Sequence, residues 1–427
     1  MTETITQTTL SNGLKVLLKE IHTAPLISSW VWYRVGSRDE VNGRTGISHW
    51  VEHMQFKGTP QFPANVLDKA ISREGGMWNA FTYLDWTTYF ETMPGDKIDL
   101  GLQLEADRMV NSVFDESEVA SERTVVISER EGNENEPRFL LGEAVQAAAF
   151  RVHAYHHEVI GDLADLRSMT RDDLYHHYKT FYAPNNAVMT VAGDFETNQM
   201  LTRIKELYEP IPAGDNQPRL GRTEPEQKGE IQLSVEGPGA TTYVQVCYRF
   251  PNASHTDFFP LSVLDSLLAG PSNLNFFGGG ISNKTSRLYR ALVDKELAVS
   301  MSGGAQATID PFLYNISLTI HPQRTVEEAL SALDDEIKRI QDEPVSEEEV
   351  ARAIKQARAI FAYGSENITN QGFWMGYSEM FADYNWFLTY LDNLAAVTPA
   401  EVQRVAQQYL QPRSRVVGTY IPTDGEA

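Results

Sequence analysis

Two histidines and a glutamate are spaced so that they could hold and use a metal ion. The motif His49-x-x-Glu52-His53 lies between Thr45, a residue type that caps helices, and Gly58, a residue type that ends them. On the helix this predicts, His49 and His53 project from one face, one turn apart. Two imidazoles so placed can bind one tetrahedral zinc ion. Glu52 lies on the same side, where it could take a proton from water instead of binding the metal.

The same segment carries a second, apolar stripe. Ile47, Trp50, Val51 and Met54 follow the i, i+3, i+4, i+7 pattern of a helix face that packs into a core. A buried helix that also carries two histidines and a glutamate needs partners for those polar groups, and a metal ion supplies them. Taken alone, the motif is equally consistent with histidines that only form hydrogen bonds.

A catalytic zinc site needs a third protein ligand, and a downstream helix offers one. Residues 116–131 have a helical pattern in which Glu122, Val126 and Glu129 share one stripe, and Glu129 follows His53 by 76 residues. Acids beside an apolar valine indicate a partly buried face, where one carboxylate can bind metal while another orients a ligand. The alternative is a solvated acidic helix.

The elements that must position these residues occur twice along the chain. Thr170 and Thr398, at an offset of 228, each precede an acid by three residues, begin a helical pattern and lie 14 residues before a proline. The strand-like segments 31–35 and 246–250 repeat at an offset of 215. A spacing this long indicates duplicated domains instead of short repeats.

The fold class predicted from this pattern is α+β, with two similar α/β sandwich domains. Each domain is expected to be a mainly antiparallel sheet with helices packed on it. The predicted zinc-binding catalytic domain covers residues 1–212, a linker rich in proline, glycine and charge covers 213–229, and the second domain, without a metal motif, covers 230–427. The aromatic segment 373–390 fits a partner interface and a domain core equally well.

Composition excludes several classes of protein. The 427 residues carry a net charge of −22, which disfavours nucleic acid and anionic membranes as partners. The single cysteine, Cys247, allows no internal disulfide and no cysteine-built zinc site. No stretch is apolar enough for a membrane span, and the first residues lack a secretory signal. We therefore expect a soluble, cytoplasmic protein, or a periplasmic one if Met1 was added to a trimmed chain.

With Glu129 in place, the sequence resembles the inverted-zincin metallopeptidases, the family of pitrilysin, insulin-degrading enzyme and mitochondrial processing peptidase. Further matching stretches cover nearly the whole chain, and the two-repeat length is similar to the short, dimer-forming subfamily. These stretches are Leu10–Val16, Gly75–Thr82, Ile160-Gly161, Asn185-Asn186 and Val191–Asp194.

The resemblance implies a role for each site residue. His49, His53 and Glu129 would be ligands of one zinc ion, Glu52 the general base, and Glu122 the acid that orients a ligand. The resemblance also places Asn79 and Ala80 beside the strand onto which a peptide substrate pairs. There, main-chain hydrogen bonds would hold an extended peptide regardless of its side chains.

The second half lacks one feature of complete sites in this family, an arginine and a tyrosine seven residues apart that stabilise the oxyanion. The corresponding positions here are Val293 and Val299, in a segment that is one residue shorter, while Arg287 and Tyr289 match the preceding helix. We therefore expect a heterodimer in which a related zinc-less subunit supplies the Arg/Tyr pair. The alternative is a non-catalytic peptide-binding or assembly subunit that retains zinc. The run Gly278–Gly280 resembles a segment that could touch substrate.

Overall fold

The computed structural model describes residues 5–215, 217–271 and 282–423, so Gly278–Gly280 lie outside the described residues. These residues form two compact units. The first unit contains residues up to Glu131 together with His157–Arg222 and Ser365–Tyr384. The second contains Gly132–His156, Thr223–Gly364 and the residues from Asn385. The units thus exchange segments, whereas the sequence-based division at 212 and 230 follows chain order.

A six-stranded sheet forms the centre of the first unit. Its spatial order is β1-β2-β6-β3-β5-β4, and every neighbouring pair is antiparallel except β2 and β6. The strands are β1 Ile5–Thr9, β2 Lys15–Glu20, β3 Leu26–Tyr33, β4 Met77–Thr82, β5 Thr87–Pro94 and β6 Ala187–Gly193.

The second unit repeats this arrangement with one strand fewer. Its order is β7-β11-β8-β10-β9, again with one parallel pair, β7 and β11, next to antiparallel pairs. The order matches β2-β6-β3-β5-β4 strand by strand, which confirms the predicted duplication and the mainly antiparallel sheets. The strands are β7 Ile231–Pro238, β8 Tyr243–Phe250, β9 Ala298–Gly304, β10 Phe312–Ile320 and β11 Arg415–Thr423.

Helices pack against both sheets and confirm the α/β sandwich class. In chain order they are α1 Ile47–Gln55, α2 Ala64–Arg73, α3 Ile98–Asn111, α4 Glu116–Asn133, α5 Pro137–Ala149, α6 Leu163–Ser168, α7 Arg171–Phe181, α8 Thr197–Tyr208, α9 Phe258–Leu268, α10 Val326–Asp342, α11 Glu347–Gly364, α12 Ile368–Phe381, α13 Tyr384–Ala395 and α14 Pro399–Tyr409.

The structure contains both of the helix N-termini that the sequence predicts. Thr170 caps α7 and Thr398 caps α14, each in a capping box with the acid three residues later. Both hydroxyls accept a hydrogen bond from the backbone N–H of that acid, at 3.3 Å in each case. The similarity at an offset of 228 residues therefore reflects two helices that begin in the same way.

Each unit is completed by a helix from the other half of the sequence. In the first unit α12 packs on β3 and β6, and in the second α5 packs on β7, β8 and β11. Gly372 and Gly376 allow α12 to lie directly against Trp30 and Trp32, because a methyl group at either glycine would overlap the indole below it. Phe373 adds edge contacts to both indoles, with ring centroids 5.6 and 5.4 Å apart.

The aromatic segment 373–390 accordingly belongs to the interior. Its large aromatic rings are buried. Their burial favours the domain core over the alternative, a partner interface. The buried rings are Phe373, Trp374, Tyr377, Phe381, Tyr384, Trp386, Phe387 and Tyr390. Among the described residues, no helix is both long and apolar enough to cross a lipid bilayer.

The contact between α12 and the indoles predicts that a larger residue at Gly376 destabilises the fold. We expect Gly376→Ala to lower the free energy of unfolding by about 1–3 kcal/mol, because the methyl group forces Trp32 out of its packed position. The matched control is Gly132→Ala on α4, where an added methyl group would contact no other part of the described structure beyond its own helix and where alanine should stabilise the helix by up to about 1 kcal/mol. Denaturant titration of both variants measures the difference, and equal effects would contradict the packing described.

Candidate metal centre

The start of α1 is held by a side chain outside the helix. Gly46, the N-cap, has φ +83° and no side chain with which to cap. Glu40 takes over this role, since its two carboxyl oxygens accept hydrogen bonds from the backbone N–H groups of Gly46 and Ser48, both at 2.8 Å. Burial raises the pKa of Glu40 to about 8, and the two backbone hydrogen bonds act in the opposite direction.

Thr45, predicted as the N-cap, has a different function. Its backbone N–H and hydroxyl both donate to Asp165, at 2.9 and 2.7 Å, and its hydroxyl accepts from the backbone N–H of Asp162 at 2.9 Å. The prediction was wrong by one residue because Thr45 is engaged by the segment before α6. Gly161 permits this approach, since a side chain there would overlap the Thr45 carbonyl.

His49, His53 and Glu129 come together at one point, and their donor atoms all lie within 4.8 Å of one another. One carboxylate oxygen of Glu129 is 3.9 Å from Nε2 of His49, and the other is 3.6 Å from Nε2 of His53. Ligands of a tetrahedral zinc ion, about 2.0–2.2 Å from the metal, are separated by about 3.3–3.6 Å. Two nitrogens and one carboxylate at nearly this spacing fit a zinc ion with one coordination position left open.

Glu122 fixes the orientation of His53. Its Oε1 lies 2.8 Å from Nδ1 of His53, and its Oε2 forms an ion pair with Lys57. Because an ionised carboxylate only accepts hydrogen bonds, Nδ1 carries the proton and Nε2 keeps its lone pair for a metal. Burial works to raise the pKa of Glu122, but His53 and Lys57 outweigh it and the pKa is lowered. The carboxylate stays ionised beside the ligand.

His49 is held in its neutral form. Burial, with a smaller contribution from the charge of His53, lowers the pKa of His49 to about 3. A neutral imidazole is the form that binds metal. Its Nδ1 is buried and has no hydrogen-bond partner among the described residues, so the orientation of this ring depends on how α1 itself is placed.

Glu52 lies beside the cluster and is not part of it. Its side chain is 8% exposed, and Oε2 accepts a hydrogen bond from the hydroxyl of Thr82 at 2.6 Å. Burial raises the pKa of Glu52 to about 7, against the opposing effect of Thr82. A carboxyl group with this pKa can both accept and release a proton near neutral pH.

The edge strand β4 connects the sheet to this cluster. Within the part of the chain that the structure describes, it pairs with β5 alone, and Thr82 at its end contacts Glu52. Asn79 is exposed and Ala80 is buried on this strand. The backbone N–H of Ala80 donates to the side-chain oxygen of Asn79 at 2.9 Å. The free edge can receive another extended chain, but contact of Asn79 and Ala80 with substrate stays a prediction.

Three groups around the cluster were missed by sequence reasoning. Glu40, Lys57 and Thr82 act through contacts with Gly46, Glu122 and Glu52, respectively. Lys57 follows His53 by four residues, so helical spacing could have placed it near the same acid. Nothing in the sequence marks Glu40, and Thr82 lies in the matching stretch Gly75–Thr82 without an assigned role, because contacts with α1 are formed only by the folded chain.

The second unit presents no basic side chain at the two positions that align with the missing donor pair. Val293 ends a short helical turn, and Val299 on β9 is 57% exposed. Arg287 is engaged elsewhere, in a two-pronged ion pair with Glu349 at 3.1 and 3.0 Å. Glu349 also accepts from the backbone N–H of Ser346 ahead of α11. This arginine therefore serves the packing of its own unit.

Comparison with known proteins bears out the family resemblance. Residues 15–163 match the family described as Insulinase (Peptidase family M16), and residues 168–357 match the Peptidase M16 inactive domain. The chain is 26% identical over 427 residues to an uncharacterized zinc protease of Streptomyces coelicolor, covering 97% of this chain and 90% of that protein. It is 24% identical over 422 residues to the mitochondrial-processing peptidase subunit beta of Lentinula edodes, covering 98% and 90%.

A solved structure agrees over the same length. The crystal structure of a protease from Helicobacter pylori has a TM-score of 0.91 and 26% sequence identity, covering 98% of this chain and all of that one. The duplicated fold is thus shared from end to end.

The contact between Glu122 and His53 predicts an effect on metal affinity. We expect Glu122→Gln to weaken zinc binding about 10- to 100-fold, because an uncharged partner stabilises the ligand form of His53 less well. The control is Glu118→Gln on the same helix, where the side chain is half exposed and 3.9 Å from Lys57. Competition with a chromophoric chelator measures both affinities. Unchanged zinc binding by Glu122→Gln would remove this carboxylate from the metal centre.

Proposed function

The chain belongs to the M16 family of zinc proteases, and we propose that it is a zinc endopeptidase acting on peptides or small unfolded polypeptides. The observation that carries the proposal is the convergence of His49, His53 and Glu129 with Glu52 beside them. Two nitrogens, one carboxylate and an adjacent acid–base group are the parts needed for metal-assisted hydrolysis of an amide.

In this proposal each side chain has a separate task. Zinc held by the two histidines and Glu129 would polarise the scissile carbonyl and lower the pKa of water. Glu52 accepts a proton from the attacking water and then donates it to the leaving amine. Thr82, which donates to one oxygen of Glu52, fixes the direction in which the carboxyl group points.

The substrate is proposed to bind as an added strand on β4. The free edge of β4 offers main-chain groups to an extended peptide, and such pairing is independent of most side chains. Since β4 ends at Thr82, in contact with Glu52, a peptide on this edge runs towards the acid–base group. This arrangement favours extended segments over folded proteins as substrates.

A second subunit is proposed to complete the site. Val293 and Val299 cannot donate side-chain hydrogen bonds to an oxyanion. One relative is itself named as a subunit, the beta subunit of a mitochondrial-processing peptidase. We propose a heterodimer in which a related zinc-less chain supplies an arginine and a tyrosine and encloses a chamber with this one.

One observation favours a different function. The match of residues 168–357 is to a domain described as inactive, and the aligned donor positions are valines. A non-catalytic subunit that binds peptides or supports assembly, while retaining zinc, would have these features. The intact set of Glu52 and the three ligands favours the peptidase.

Replacement of Glu52 separates the two functions. We expect Glu52→Gln to lower the kcat for peptide cleavage by about 100- to 10,000-fold, because amide groups do not transfer protons near neutral pH. Zinc affinity should stay within a factor of about two, since Glu52 is not a ligand. Cleavage of a quenched fluorescent peptide by the assembled complex is the assay, with Glu118→Gln as control. Equal rates for Glu52→Gln and the unaltered chain would exclude this mechanism.

The missing donors predict that activity depends on a partner. We expect kcat/KM of the isolated chain to be at least about 100-fold below that of the chain co-produced with a zinc-less relative carrying the Arg/Tyr pair, because an oxyanion donor is worth about this much. Zinc content should be the same with and without the partner. Full activity of the isolated, monomeric chain would show that no second subunit is required.

A further inference from the structure

Glu40 holds the N-terminal end of the helix that carries both histidine ligands. The side chain is completely buried, and its two oxygens accept from the backbone N–H groups of Gly46 and Ser48. Ser48 is the residue directly before His49. The contact therefore lies one peptide unit from the first ligand, although Glu40 touches neither ligand nor substrate.

The N-cap residue of α1 provides no capping side chain of its own. The helix is nine residues long, and its N-cap is a glycine in the left-handed region. Free N–H groups in the first turn of a helix need an acceptor, and this acceptor also determines where the turn begins. His49 is the third residue of α1, within that first turn. A shift in the start of α1 would therefore change the direction in which the His49 imidazole points.

His157 lies next to Glu40, beyond hydrogen-bonding distance. Nε2 of His157 is 3.7 Å from Oε2 of Glu40, and Nδ1 of the same ring is 3.0 Å from the carbonyl oxygen of Glu158. On the other side, the Ser48 hydroxyl donates to the carbonyl oxygen of Gly36 at 3.2 Å. Ser48 is thus held through both its backbone N–H, by Glu40, and its hydroxyl, by Gly36.

We propose that Glu40 is a positioning residue for the metal centre, acting through the first turn of α1 to hold His49 and His53 against Glu129. The proposal rests on the proposed function in that it takes these three residues as zinc ligands. His49 depends on it most, because its Nδ1 has no hydrogen-bond partner among the described residues that could orient the ring. His53, by contrast, is oriented by Glu122.

The test compares zinc affinity with stability in the full-length chain. Glu40→Ala removes both acceptors, and Glu40→Gln retains one oxygen. Zinc dissociation constants come from competition with a chromophoric chelator, and the visible absorption of bound cobalt(II) reports the geometry of the ligands. Thr170→Ala is the matched control, because it removes the cap of α7, a helix of the same unit that packs against α1, and leaves the hydrogen bonds of Glu40 in place.

We expect Glu40→Ala to weaken zinc binding about 10- to 100-fold, as does loss of other groups that support metal ligands, and to alter the cobalt(II) spectrum. Glu40→Gln should fall between Glu40→Ala and the unaltered chain. Thr170→Ala should lower the melting temperature with unchanged zinc affinity and spectrum.

Three outcomes would contradict either the proposed function or the role of Glu40, and they can be distinguished from one another. If the unaltered chain binds neither zinc nor cobalt(II), the proposed function fails. If it binds both, and Glu40→Gln and the folded fraction of Glu40→Ala bind them equally well with the same spectrum, the role of Glu40 fails. The role also fails if Thr170→Ala weakens zinc binding as much as Glu40→Ala does, since general loss of stability would then account for the effect.

Discussion

The hydrogen bond between Glu122 and His53 joins the two helices on which the metal cluster depends. Helix α1 brings two histidines and α4 brings Glu129, and this contact sets the distance between the helices at the level of the ligands. Lys57 keeps Glu122 ionised, so the same contact also fixes which nitrogen of His53 would be free for the proposed metal. Position, tautomer and charge of the ligand set therefore follow from one short polar chain.

The residues around this hydrogen-bonded series hold α1 from several directions. Glu40 engages its first turn, Thr82 at the end of β4 engages Glu52, and Asp165 holds Thr45 just ahead of it. Burial of these polar groups is costly unless each has a partner, and each does. A short helix that is anchored at its start, its middle and its ligands can present side chains with little freedom.

The two units share an architecture but differ in chemistry. Their sheets have the same strand order, yet the helix after β8, α9, is an almost entirely apolar core helix without metal-ligating side chains like those of α1. The two units thus have equivalent frameworks, and the first carries the polar side chains that could hold a metal. The exchange of α5 and α12 makes neither framework complete without residues from the other half of the sequence. Residues 1–212 by themselves lack the helix that covers Trp30 and Trp32.

The sequence by itself determined the local features. Helical spacing placed His49, Glu52 and His53 on one face, a valine between acids indicated the partly buried side of α4, and matching capping boxes revealed the duplication, because these signals arise within a few residues. Only the tertiary structure decided which carboxylate binds His53 and which helix covers each sheet. It also decided that Glu40, not Thr45, engages the start of α1. These outcomes depend on contacts between segments that are distant in the sequence. Such contacts produce no periodic pattern of residues.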